Sequence, residues 1–199
     1  MKILTRWAVM AGACLLAASA VAQPMTVADV KYEETASVGG STLQLNGAGV
    51  RYKAVFKVYT AGLYLEKKAG TPADVMAQKG PKRMSITMLR EIDSTELGKL
   101  FSRSMEDNMD RAAFSRLIPG VLRMSQIFSD HKKLVAGDQF QIDWIPGTGT
   151  IITVKGKPQE EPFKEPEFFN ALLGIWLGNA PADWKLKDAL LGKTAPSPS

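Results

Sequence analysis

The stretch from Leu45 to Glu66, LNGAGVRYKAVFKVYTAGLYLE, constrains the fold more than any other part of the chain. From Val55 to Leu65 it is rich in β-branched, aromatic and apolar residues. At a period of two, Val55, Tyr59, Ala61, Leu63 and Leu65 share one face, and Phe56, Val58, Thr60, Gly62 and Tyr64 share the other. A strand of this kind is expected to be covered on both sides. Ahead of it, Asn46-Gly47 and Gly49 tolerate positive φ, so the reading is a sharp turn that delivers Arg51 to the start of the strand. Gly47-x-Gly49 also resembles the opening of a dinucleotide fingerprint. Tyr52 stands where the third glycine belongs and a strand follows instead of a helix, which argues against a nucleotide site.

The first 22 residues have the grammar of a secretory signal: Lys2 and Arg6, an apolar run from Trp7 to Ala18, and Ala20-Val21-Ala22 before Gln23. The run is shorter than the roughly 20 residues of a membrane-spanning helix. The expected product is an exported, periplasmic bacterial protein with no integral membrane segment after cleavage. Its only cysteine, Cys14, lies in the signal, so no disulfide holds the fold. Residues 23–194 are then of a size for a single domain, and 195–199 form a polar tail. Of 25 basic residues against 20 acidic, Lys2 and Arg6 leave with the signal, and the remaining balance is close to neutral. The tight basic pairs Lys82-Arg83 and Lys132-Lys133 have no aromatic interleaving, so nucleic acid is not an expected partner.

Along the chain, Met25–Glu34 and Thr42–Leu45 read as short strands leading to the long one. Thr71-Pro72 opens a short helix that Gly80-Pro81 stops, and residues 83–90 alternate as a strand with one buried face. Asp93-Ser94-Thr95-Glu96 starts a helix expected to run to Leu117, and a second follows Pro119-Gly120 to His131. Residues 139–145 and 150–155 form a hairpin around Pro146–Gly149, with Phe140, Ile142 and Trp144 on one face. The last helix begins near Pro166 and carries Phe168, Phe169, Leu172, Leu173 and Trp176. Strands, helices, strands and a final helix make an α+β domain, a mainly antiparallel sheet with helices packed on one face.

Few residues here could carry chemistry. The apolar stripe of the 93–117 helix, Leu97, Leu100, Phe101, Met105 and Met109, shares its face with Ser104 and Asn108. Those polar groups either find partners in nearby backbone, the commoner arrangement, or line a cavity. Arg51 either faces water, again the commoner arrangement, or turns inward as a bidentate receptor for a carboxylate or phenolate. His131 is a lone histidine on a polar helix end, and with no mature cysteine and no histidine cluster neither a triad nor a metal site is expected. No cofactor is implied. The methionines at core spacing, Met84, Met88, Met105, Met109 and Met124, read as adaptable packing.

The segment around Gly47–Leu65, the helix bearing Ser94–Asn108 and Ile175-Trp176-Leu177-Gly178 together resemble the chalcone isomerase-like family, over about residues 38–191. The resemblance implies an open-faced β-sandwich with a ligand cleft between sheet and helices. It also implies a division between isomerases that cyclise chalcones and relatives that bind fatty acids or have no known reaction. Against the enzymes' pattern, Arg51 matches the strand arginine that holds a phenolate, and Asn108 matches the helix asparagine. These two would be the catalytic residues if the protein were active. Phe101 stands for a tyrosine that polarises the ketone, Ser104 for a lysine, Tyr59 for a strand threonine and Ile175 for a helix threonine.

The expectation is therefore a non-catalytic protein that binds a small amphipathic or aromatic ligand, a fatty acid for example, through Arg51, Tyr59, Phe101, Ser104, Met105, Asn108 and Ile175. The alternatives are an isomerase or intramolecular lyase acting on a flavonoid-like substrate, and an envelope interaction protein whose cleft is packed core.

Overall fold

The computed structural model describes residues 24–193, so the signal at 1–22 and the tail at 195–199 lie outside the described residues. Eleven strands and five helices follow in the order β1 (Met25–Val27), β2 (Val30–Tyr32), β3 (Thr35–Val38), β4 (Ser41–Lys53), β5 (Phe56–Leu65), α1 (Pro72–Ala77), β6 (Lys82–Met88), β7 (Ile92–Asp93), α2 (Ser94–Glu106), α3 (Arg111–Ser129), β8 (Lys133–Leu134), β9 (Gln139–Ile145), β10 (Gly149–Val154), β11 (Lys157–Phe163), α4 (Pro166–Leu177) and α5 (Trp184–Leu190). Seven strands form one antiparallel sheet in the order β11-β10-β9-β6-β5-β4-β3. The expected α+β layering is what the molecule shows.

The strand β5 is covered on both faces, as its composition requires. Tyr59, Ala61, Leu63 and Leu65 join the main core, where α2, α3 and α4 bring Leu97, Phe101, Phe128, Leu172 and Trp176. Tyr64 joins a smaller cluster with Tyr32, Leu43 and Leu45 under the β1–β2 hairpin. Residues 25–34, expected as one strand, reverse where Ala28 and Asp29 adopt φ of 46° and 65°. The hairpin so formed lets the Tyr32 hydroxyl reach across and donate to Thr60 Oγ1 at 2.8 Å.

The glycines before Arg51 do not make a turn. Residues 41–53 run as one strand, and neither Gly47 nor Gly49 has positive φ; the reversal comes later, at Ala54-Val55, with Ala54 at φ 54°. Arg51 therefore lies near the end of β4 and pairs with Tyr59, instead of starting the long strand. The two glycines serve close approach. A Cβ on Gly47 would collide with the Ala189 carbonyl, and one on Gly49 would lie 2.6 Å from Ala189 Cβ. Their bare backbone lets α5 lie directly on β4.

The helix pair also departs from expectation. The first helix ends at Glu106, not near Leu117, because Asp110 starts a new one by accepting from the Ala113 N–H at 2.9 Å. The second then passes through Pro119 without stopping. Pro119 and Ser115, the residue whose carbonyl it leaves without an N–H, are both exposed, so water can take up that carbonyl. Five elements were not read from the sequence: the short strands β3, β7 and β8, the strand β11, whose Lys-Pro-Gln-Glu-Glu-Pro-Phe looks like a loop, and the seven-residue α5.

The seating of α5 gives a direct test. Gly47→Ala and Gly49→Ala are each expected to cost about 1–3 kcal/mol in urea denaturation through overpacking. Gly70→Ala, where an added Cβ meets nothing within 4 Å, should be close to neutral.

Candidate functional site

Between the helix-covered face of β4–β5 and the helices α2 and α4 lies a cavity of about 400 Å³. Strand residues Arg51, Lys53, Val58 and Tyr59 form one wall; Leu97, Leu100, Phe101 and Ser104 of α2 form another. Ile175 of α4 and Ala182 contribute from behind, and Arg90, Glu91, Ile92, Asp93 and Glu96 edge the opening. The apolar part is supplied by α2 because its buried stripe, Leu97, Phe101 and Met105, repeats at helical spacing and faces the sheet.

Tyr59 anchors the interior. It is 2% exposed and its hydroxyl oxygen accepts from the Trp176 indole N–H at 2.9 Å. Among the described residues its own O–H finds no acceptor, so the proton is free to be donated to an occupant of the cavity. Burial pushes this phenol up to about 12, against the opposing pull of the Arg51 charge, and it stays protonated through neutral pH. The Arg51 guanidinium lies 5.7 Å from the Tyr59 ring centroid. It is half-buried and, among the described residues, has no carboxylate or carbonyl partner. The nearby acids are engaged elsewhere: Glu91 with Lys133 at 2.9 Å, Glu96 with Lys99 at 2.8 Å, and Asp93 as the cap of α2, accepting from the Glu96 N–H at 3.0 Å.

Of the residues expected from the sequence, Arg51, Tyr59, Phe101, Ser104 and Ile175 come together on this cavity, and Arg51 adopts the less common inward arrangement. Met105 and Asn108 do not line it. Met105 is fully buried in the core, one helical turn beyond Phe101. Asn108 is consumed by backbone: its amide donates to the Ser104 and Ala180 carbonyls at 2.8 and 2.9 Å, and its oxygen accepts from the Ala180 N–H at 2.7 Å. It clips the end of α2 to the loop between α4 and α5. Sequence reasoning missed Lys53, Arg90, Val58, Leu97 and Leu100 as wall residues. Lys53 could have been found, since it follows Arg51 by two positions in an extended strand.

A profile of the chalcone isomerase-like family matches residues 24–192. The chain belongs to that family. Among solved structures, a fatty-acid binding protein of Arabidopsis thaliana is similar, with a TM-score of 0.64 and 14% identity over 82% of this chain and 92% of that chain. At that identity the likeness speaks for the fold. No curated protein matches this chain in sequence.

Two outcomes are expected. Asn108→Ala should lower stability in urea by about 1–3 kcal/mol, from the loss of three hydrogen bonds, while leaving ligand uptake in place. Stability should also fall as pH rises from about 10 to about 12. Over that range the folded state keeps the Tyr59 proton, and that of Tyr64, likewise raised by burial to about 12, which the unfolded chain releases near 10. Denaturation midpoints across that range should decline less steeply in Tyr59→Phe.

Proposed function

We propose that this protein is a periplasmic, non-catalytic binding protein for a small amphipathic anion, a long-chain fatty acid being the best fit. The observation that carries this reading is Arg51: a half-buried guanidinium with no counter-charge among the described residues, on the wall of a cavity whose helix side is lined mainly by Leu97, Leu100, Phe101 and Ile175. A half-buried cation without a partner loses part of its hydration with nothing to replace it, and a bound carboxylate would supply the partner in bidentate form. The Tyr59 hydroxyl, held by Trp176 with its proton free, adds a second donor to the same anion. Val58, Leu97, Leu100, Phe101 and Ile175 offer the tail a hydrocarbon surface, and about 400 Å³ lies in the usual range of about 300–1,000 Å³ for small-molecule sites. The Arabidopsis neighbour is a fatty-acid binding protein, in keeping with this ligand class.

A second reading, an isomerase acting on a flavonoid-like substrate, draws on the same pair of groups: Arg51 to hold a phenolate and Tyr59 to donate to a ketone. It has to work without a hydroxyl at Phe101.

The test is uptake of palmitate by delipidated protein, followed by calorimetry and by native mass spectrometry. Arg51→Ala should weaken binding about ten- to a hundredfold, the loss expected for a charge-assisted contact of about 1.5–3 kcal/mol. Equal uptake by wild type and Arg51→Ala would sink the binding reading, and chalcone turnover that disappears in Arg51→Ala would favour the second.

A further inference from the structure

The mouth of the cavity is flanked by exposed apolar side chains. Of eight large hydrophobic side chains exposed among the described residues, five gather there: Tyr52 at 39% exposure, Val55 at 81%, Phe56 at 59%, Leu100 at 37% and Trp184 at 62%. Val55 stands at the apex of the β4–β5 turn, and Phe56 pairs with the cavity residue Lys53 across the strands. The Phe56 ring lies 5.4 Å from the guanidinium of Arg90, another residue at the mouth. Asp183 ties this turn to the start of α5: one oxygen accepts from the Tyr52 N–H at 2.9 Å, while the other caps the Lys185 and Leu186 N–H groups. Trp184, the first residue of α5, is thereby fixed beside the turn.

The charges around these side chains are of one effective sign. Lys53, Lys57, Arg90 and Lys185 are exposed and, among the described residues, none pairs with a carboxylate. The acids of the same rim are committed, Glu91 and Glu96 to lysines, Asp93 and Asp183 to helix N-termini.

We propose that this rim docks the protein on an anionic lipid bilayer, with Val55, Phe56 and Trp184 entering the interfacial layer and Lys53, Lys57, Arg90 and Lys185 meeting the headgroups. Three features select a bilayer over a protein. Aromatic residues mixed with lysine and arginine are the composition of an interfacial anchor. The apex is a convex hairpin tip, whereas a stable protein interface needs about 800 Å² of matching surface on each partner. The tip is also continuous with the cavity, so a poorly soluble hydrocarbon chain could pass between membrane and protein without crossing water. Among the described residues no helix is long and apolar enough to cross a membrane, so the contact is peripheral. The role of the docking, loading of the cavity, rests on the binding reading above; the docking itself does not.

Flotation of the purified protein with phosphatidylcholine vesicles, with and without phosphatidylglycerol, tests this. Wild type should float with the anionic vesicles, less at high salt, with a blue shift of tryptophan emission that Trp184→Phe removes. Val55→Asp should weaken vesicle binding about tenfold and Lys57→Glu should weaken it on anionic vesicles only, while both variants take up soluble palmitate as wild type does. Failure of wild type to float, or flotation of Val55→Asp equal to wild type, overturns the proposal. So does a vesicle-free dimer that Val55→Asp dissociates, since the tip would then be covered by a second copy. Vesicle binding intact in a protein that takes up no palmitate supports docking and removes the cavity reading alone.

Discussion

The hydrogen bond from the Trp176 indole to the Tyr59 hydroxyl joins α4 to the sheet in the middle of the apolar core. On the sheet side it gives a partner to a buried phenol oxygen that would otherwise have none among the described residues. On the helix side it sets the depth of α4, and Trp176 then packs edge-on against Phe101, their ring centroids 5.5 Å apart. Phe101 in turn touches Phe128 and Phe140, which pack edge-on against each other at 5.3 Å. One polar contact and four aromatic rings thus locate α2, α3 and α4 over the sheet. The space left between Phe101, Tyr59 and the end of β4 is the cavity.

What was legible in the sequence followed from periodicity. The two-sided composition of residues 55–65 fixed a central strand, and alternation located β6, β9 and β10. Local signals misled where a residue type has two uses. Gly47 and Gly49 read as turn residues because glycine tolerates positive φ, yet here they remove side chains under α5, a contact 140 residues away that no local pattern reveals. Pro119 read as a helix stop, but the solvent side of α3 accommodates it. The true break, residues 107–110, depends on Asn108 finding backbone groups at Ala180, again a distant partner.

The site shows the same division. Phe101 and Ser104 were found because they sit on a helix whose inner face is predictable, and Arg51, Tyr59 and Ile175 because they stand at positions that the family resemblance marks. Asn108 was placed with them for the right geometric reason, since it shares their helical face, but it lies beyond the last turn, where its amide replaces the hydrogen bonds that a fraying helix loses. Arg90 was missed because a cavity wall in a loop carries no periodic mark, and Leu100, though part of the helix's apolar stripe, because periodicity does not tell a cavity wall from packed core.

The balance between binding and catalysis turns on where charge would have to be stabilised. A bound carboxylate brings its full charge to one end of the ligand, and Arg51 with the Tyr59 proton meets it there, while the remainder needs only apolar surface. Cyclisation of a chalcone instead moves charge from an attacking phenolate to a ketone oxygen at some distance along the substrate, so donors are needed at both ends. The walls that α2 and α4 supply offer Leu97, Leu100, Phe101 and Ile175, with Ser104 as the one hydroxyl. Each missing strong donor forfeits about 10²–10³ in rate. A cavity whose cations lie on the strand wall and at the opening, opposite helix walls that are largely apolar, is better suited to holding an amphipathic anion than to passing charge along one.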